Sequence, residues 1–153
     1  MLLQTLAESV QATGLSQTLR ASLWLYPMVN TGHVVGIALL FGAIVPLDLR
    51  LLGAWRGVPV EHLARPLVTV AVCGLTLALL TGSLLFATRP EDYVVEPLFG
   101  LKLSLLAAAI ANALLLRRSR HWPRGGATAR AAGVLSIVLW LSVITAGRLI
   151  GYR

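Results

Sequence analysis

Apolar residues gather into four long runs, 21–47, 66–88, 103–116 and 131–147, and the short segments between them hold nearly all of the charge. The third run extends back past Lys102 to Pro97. Crossing about 30 Å of hydrocarbon takes roughly 20 mostly apolar residues, and each run supplies that number or comes within a turn of it. Backbone groups in lipid must be satisfied within the segment, so runs of this length are read as helices. The pattern predicts an all-α, integral membrane four-helix bundle occupying 21–153, with spans near 22–52, 64–88, 97–117 and 130–150. Ahead of it, Leu2, Leu3, Leu6 and Val10 recur at helical spacing, and Leu15 and Leu19 resume the pattern after Gly14. Residues 1–20 lack a basic start and carry Gln4, Glu8, Gln11 and Gln17, which suits neither a signal peptide nor a fifth span. They are read as an amphipathic helix lying in the membrane interface.

Composition narrows the class. Hydrophobic residues make up 57% of the chain and charged residues 12%, about half the charge of a soluble domain. Too few polar residues are present to clothe a water-soluble core. The single cysteine, Cys73, lies within the second run, so no internal disulfide is available. The net charge of +7 is unevenly placed, with eight of the thirteen basic residues (Arg50, Arg56, Arg65, Arg117, Arg118, Arg120, Arg124 and Arg130) in the first and third loops. Lys and Arg in short loops favour the cytoplasmic face, which predicts both termini outside. Each basic residue beside the membrane gains about 1 kcal/mol from anionic lipid, so these loops call for lipid headgroups and not for nucleic acid. Trp24, Tyr26, Tyr93 and Tyr152 fall at expected outer ends of the spans, and Trp55 and Trp122 at inner ones, as interfacial aromatics do.

Small residues supply a packing pattern. Gly32 and Gly36 form a GxxxG in the first span, and Gly74, Ala78 and Gly82 a stripe in the second. Ser104, Ala108 and Asn112 are expected to face inward in the third span, and Ser142 with Ala146 in the fourth. Helices in lipid associate where small side chains let their backbones approach.

Candidate chemistry centres on His33, about 12 Å below the outer end of the first span. An imidazole at that depth faces the protein interior or a cavity. One reading makes it a hydrogen-bonding residue between helices, with Thr81, Ser83 or Thr145 as partner. A second joins it to Lys102 and Arg148, each about a turn inside its helix end, as a pocket for an amphipathic ligand with an acidic end, such as haem b or a quinone. Alone, Lys102 and Arg148 read as snorkelling side chains. A haem there would be five-coordinate or would borrow a ligand from another chain, because His62 and His121 lie on the opposite side, about 20 Å or more away.

A second cluster ends the first span: Pro46-Leu47-Asp48-Leu49-Arg50. Pro46 cannot donate to the Gly42 carbonyl, which predicts a kink or a free acceptor. Asp48 and Arg50 lie two apart and point different ways. Asp48 is therefore expected to look to Arg65, Arg117, Arg118 or Asn112, giving a structural polar cluster of Asp48, Arg50, Arg65 and Asn112. Asp48 and His33 fall about 60° apart around the helix, so a proton path along that face is the alternative.

The stretch 23–53, with Asn30-x-x-His33-x-x-Gly36, Leu39-Leu40-x-Gly42 and Pro46-Leu47-Asp48-Leu49-Arg50-Leu51-Leu52-Gly53, resembles the DUF6644-type group of small bacterial membrane proteins. Thr81-Gly82-x-Leu84-Leu85-Phe86, Tyr93, Lys102 and Asn112 continue the resemblance. It implies a four-helix protein of the bacterial inner membrane and supplies no chemistry. Three functions stand open from the residues. The first is a non-catalytic membrane subunit or accessory protein, in a homo-oligomer or a larger membrane complex. The second is a haem- or quinone-binding bundle on His33. The third is a small transporter or proton-linked carrier, for which four spans leave little room.

Overall fold

The computed structural model describes residues 13–119 and 126–152, and every element among them is helical. In chain order these are α1 (Gly14–Ala21), α2 (Leu25–Leu52), α3 (Val60–Thr88), α4 (Pro90–Val95), α5 (Pro97–Arg118) and α6 (Ala127–Ile150). Four of them, α2, α3, α5 and α6, are long and apolar enough to cross a membrane. Even α5, the shortest at 22 residues, extends about 33 Å. The chain is a four-span all-α membrane protein. The sequence segment before residue 13, together with Arg120, His121, Trp122, Arg124 and Arg153, lies outside the described residues.

Two compact units divide the chain: Met1–Leu40 with Val72–Pro97, and Phe41–Ala71 with Leu98–Arg153. In the first, α2 and α3 meet backbone to backbone. A Cβ added to Gly74 would stand 2.5 Å from the Leu40 nitrogen and 2.7 Å from the Gly36 oxygen, and one added to Gly36 would stand 2.7 Å from the Ala78 nitrogen. The GxxxG of α2 and the small stripe of α3 thus face each other, and only hydrogen fits between them. Helix α1 starts on Thr13, whose hydroxyl accepts from the Ser16 amide. Ser16 and Leu19 are buried, and the Ser16 hydroxyl donates to the Ala87 carbonyl at 2.7 Å, which pins α1 to the end of α3.

Short helix α4 follows at once, with Pro90 at its first turn. The Tyr93 ring packs 5.8 Å from that of Phe86. Burial holds the Tyr93 phenol above its ordinary value of 10.0; Tyr26 and Asp92 add to the rise and Arg89 opposes it. Folding therefore retains this proton. The resulting stability is complete below pH 10.0 and is lost as pH rises through the folded value. Tyr93→Phe is expected to flatten the alkaline limb of stability against pH, with phenolate absorbance reporting the late ionisation in the parent protein.

In the second unit, Leu47 and Leu51 of α2, Val60 and Ala64 of α3, Leu116 of α5 and Ala129 of α6 form one apolar cluster, with Leu67, Val68 and Ala132 against it. The buried residues of α6 are Ala129, Gly133, Ser136, Trp140, Val143 and Ala146, a repeat of three and four that keeps one seam facing inward. Ala146 lies on this seam as the small-residue pattern expected, whereas Ser142 is only half-buried. In α5 the buried residues are Ala109 and Leu116. Ser104 and Ala108 are exposed, so the expected inward stripe of α5 is rotated by about one position.

Candidate functional site

His33 is half-buried in the first unit, and its surroundings follow from the glycine contact one turn below it. Close approach of α2 and α3 brings the ring to the α3 backbone, where Nδ1 lies 2.9 Å from the Ala78 carbonyl oxygen and 3.2 Å from the Thr81 hydroxyl. A carbonyl only accepts, so Nδ1 carries a proton and donates it. The Thr81 hydroxyl donates to the Leu77 carbonyl at 2.6 Å and faces the imidazole as a second acceptor. Two glycines make room. A Cβ on Gly82 would sit 3.0 Å from the His33 Cε1, and one on Gly32 would sit 3.1 Å from the Thr81 methyl. The imidazole thus bridges two helices at their tightest crossing, with Thr81 among the partners expected from sequence.

Lys102 and Arg148 belong to the second unit. The half-buried Lys102 side chain lies along α6, with Cε and Nζ each 3.2 Å from where a Cβ on Gly147 would stand. Arg148 is exposed; its guanidinium donates to the Tyr152 hydroxyl at 2.9 Å and lies 4.8 Å from the centre of that ring.

The structural polar cluster forms differently from the expectation. Asp48 is buried, and the polar side chain set beside its carboxyl is Ser136 of α6, not a basic residue. Gly133 permits this: a Cβ there would lie 3.4 Å from the Asp48 carbonyl oxygen and 3.8 Å from its Cα, so the two helices touch at this level. Among the described residues the buried carboxyl oxygen Oδ2 has no hydrogen-bond partner, nor has the buried indole nitrogen of Trp140 one turn further along α6. Asn112 donates instead to the Ala132 carbonyl at 3.0 Å, joining α5 to α6. Arg65 is exposed in the second turn of α3.

Arg50 builds the corner after α2. Its Nε donates to the Val58 carbonyl at 2.6 Å and its Nη2 to that of Arg56 at 3.4 Å. The helix itself ends in a Schellman turn: the Gly53 amide donates to the Arg50 carbonyl and the Ala54 amide to that of Leu49. Gly53 has φ 111°, which a side chain would resist. Asp48, Arg50, Leu51 and Gly53 of the Asp-Leu-Arg-Leu-Leu-Gly motif, with Leu47 just before it, each have a local task. Leu47 and Leu51 fill the core, Asp48 reaches α6, Arg50 holds the loop and Gly53 turns the chain.

Sequence reasoning missed Ser136 and Trp140. The signal that finds them is the inward repeat of α6 read from Ala129 through Gly133, which places both on the seam. Among the described residues no three His, Cys, Asp or Glu side chains gather around a common point. Fold and polar groups together define a multi-pass helical membrane protein. Comparison with known families, with curated proteins and with solved structures gives no match.

Proposed function

We propose that this chain is a non-catalytic membrane subunit or accessory protein. The observation that carries the reading is the Nδ1 bond from His33 to the Ala78 carbonyl, beside a glycine-to-glycine helix contact. It gives the His33 imidazole a task in holding α2 to α3. Outward-facing Val34, Val35, Leu39, Val72, Leu79, Leu80, Leu101, Leu115 and Val138 present apolar surface to lipid or to a neighbouring protein. The arginine asymmetry of the loops supports a bacterial inner membrane setting with both termini periplasmic. The kinship with the DUF6644-type group is proposed on its motif residues alone.

A second reading, a haem b or quinone site, would use the same imidazole as its ligand. Two measurements on the protein as it occurs in membranes decide between them. For the subunit reading, mild solubilisation is expected to give a complex larger than one chain, colourless and free of extractable quinone. His33→Ala should lower its melting temperature and leave its spectrum unchanged. A Soret band or bound quinone that disappears in His33→Ala would establish the second reading instead. A single, colourless, ligand-free chain would overturn both.

A further inference from the structure

We propose that Lys102, Arg148 and Tyr152 form a binding site for a phosphate group, that of a membrane phospholipid, at the boundary where α5 begins and α6 ends. The proposal concerns the second unit alone and does not depend on the role of His33.

Three observations bring the donors to the same end of α5 and α6. Side chains on a helix lean toward its N-terminus, so Lys102, in the second turn of α5, leans toward the membrane boundary. Gly147 lets it lie flat on α6, and its ammonium arrives beside the residue that precedes Arg148. Arg148 is turned the opposite way from the usual lean: its guanidinium reaches Tyr152, four residues further on, and is held by both the hydroxyl and the ring face. The last turn fixes that tyrosine, because the Gly151 amide donates to the Arg148 carbonyl and the Tyr152 amide to that of Leu149.

The chemistry of the cluster selects its ligand. Its two cations have no acidic partner among the described residues, and the acidic residues of this unit, Asp48 and Glu61, lie at the α2–α3 corner. The Tyr152 hydroxyl accepts from Arg148 and keeps its own proton to donate. An ammonium, the remaining guanidinium N–H groups and a phenol are all donors, which fits a phosphate oxygen group and no cation. Exposed Leu101, Leu103 and Leu149 on the same two helices offer apolar surface for acyl chains. That continuity favours a lipid phosphate over a free one.

The test uses the full chain in an uncharged maltoside detergent, titrated separately with dioleoyl phosphatidylglycerol, dioleoylglycerol and inorganic phosphate, with bound molecules counted by native mass spectrometry. Phosphatidylglycerol should be retained and dioleoylglycerol should not. Lys102→Gln and Arg148→Gln should each weaken the tightest phosphatidylglycerol adduct by about five-fold, and Lys102→Arg should recover most of that loss. Gly147→Ala keeps both charges yet displaces the ammonium, so it should weaken binding as well. Inorganic phosphate binding as tightly as phosphatidylglycerol would retain the anion site and assign it to a solute. Equal retention of dioleoylglycerol, or unchanged binding in both glutamine variants with helical circular dichroism intact, would overturn the proposal.

Discussion

Gly74→Ala is expected to destabilise the protein by about 1–3 kcal/mol, toward the upper end of what overpacking costs. The added methyl would meet the Leu40 nitrogen, the Gly36 oxygen and the Leu39 Cβ, all within 2.9 Å. Two of these are backbone atoms, which no rotamer change can move aside. The only relief is to part α2 from α3, and that also lengthens the bond from His33 to Ala78. Gly36→Ala should behave alike, because its methyl would meet the backbone of Ala78 and Gly74. The double variant should cost less than the two losses added, since helices already parted accept a second methyl more easily. Gly42 provides the contrast. It lies in α2 with nothing within 4 Å of an added Cβ, so Gly42→Ala should be neutral or should stabilise by up to about 1 kcal/mol. Thermal or denaturant unfolding in mixed micelles, followed by helical circular dichroism, measures all four. Equal effects at Gly42 and Gly74 would refute the close-contact account.

Ser136→Ala is expected to cost about 1–3 kcal/mol, although it removes a single small hydroxyl. The loss comes from what is left behind. Asp48 is 5% exposed, Ser136 is the polar side chain beside its carboxyl, and Oδ2 has no hydrogen-bond partner among the described residues. Stripped of the hydroxyl, the buried carboxyl would lose the polar side chain beside it. Replacing both partners with apolar groups removes that penalty, so Asp48→Leu with Ser136→Ala should recover most of the stability lost by Ser136→Ala alone. The coupling energy from the double-mutant cycle is the decisive quantity. A value near zero would show that the carboxyl and the hydroxyl do not support one another.

Why did the two polar sites differ so much in what could be foreseen? His33 was recognisable because one imidazole in a long apolar run has few partners to choose from, and Thr81 was among them. For Asp48 the spacing excludes Arg50 and leaves Arg65, Arg117, Arg118 or Asn112 as expected partners. Arg50 instead satisfies loop carbonyls at Arg56 and Val58, and Arg65 is exposed. Spacing along one helix shows which way a side chain points. It does not show which residue of a second helix stands opposite, because that depends on rotation and axial shift set by packing. Ser104 and Ala108 of α5 illustrate the same limit: their spacing is that of an inward stripe, yet the buried position is the adjacent Ala109.

The number of spans and the small faces of α2 and α3 were determined by sequence alone, because hydrocarbon thickness fixes helix length and backbone polarity demands helices. Tertiary structure alone decided that Gly36 meets Gly74, that Asp48 faces Ser136 and that Lys102 lies on Gly147. Each of those contacts needs two helices at a particular angle and height. That geometry arises from the sum of many weak side-chain contacts and is written in no single segment of the chain.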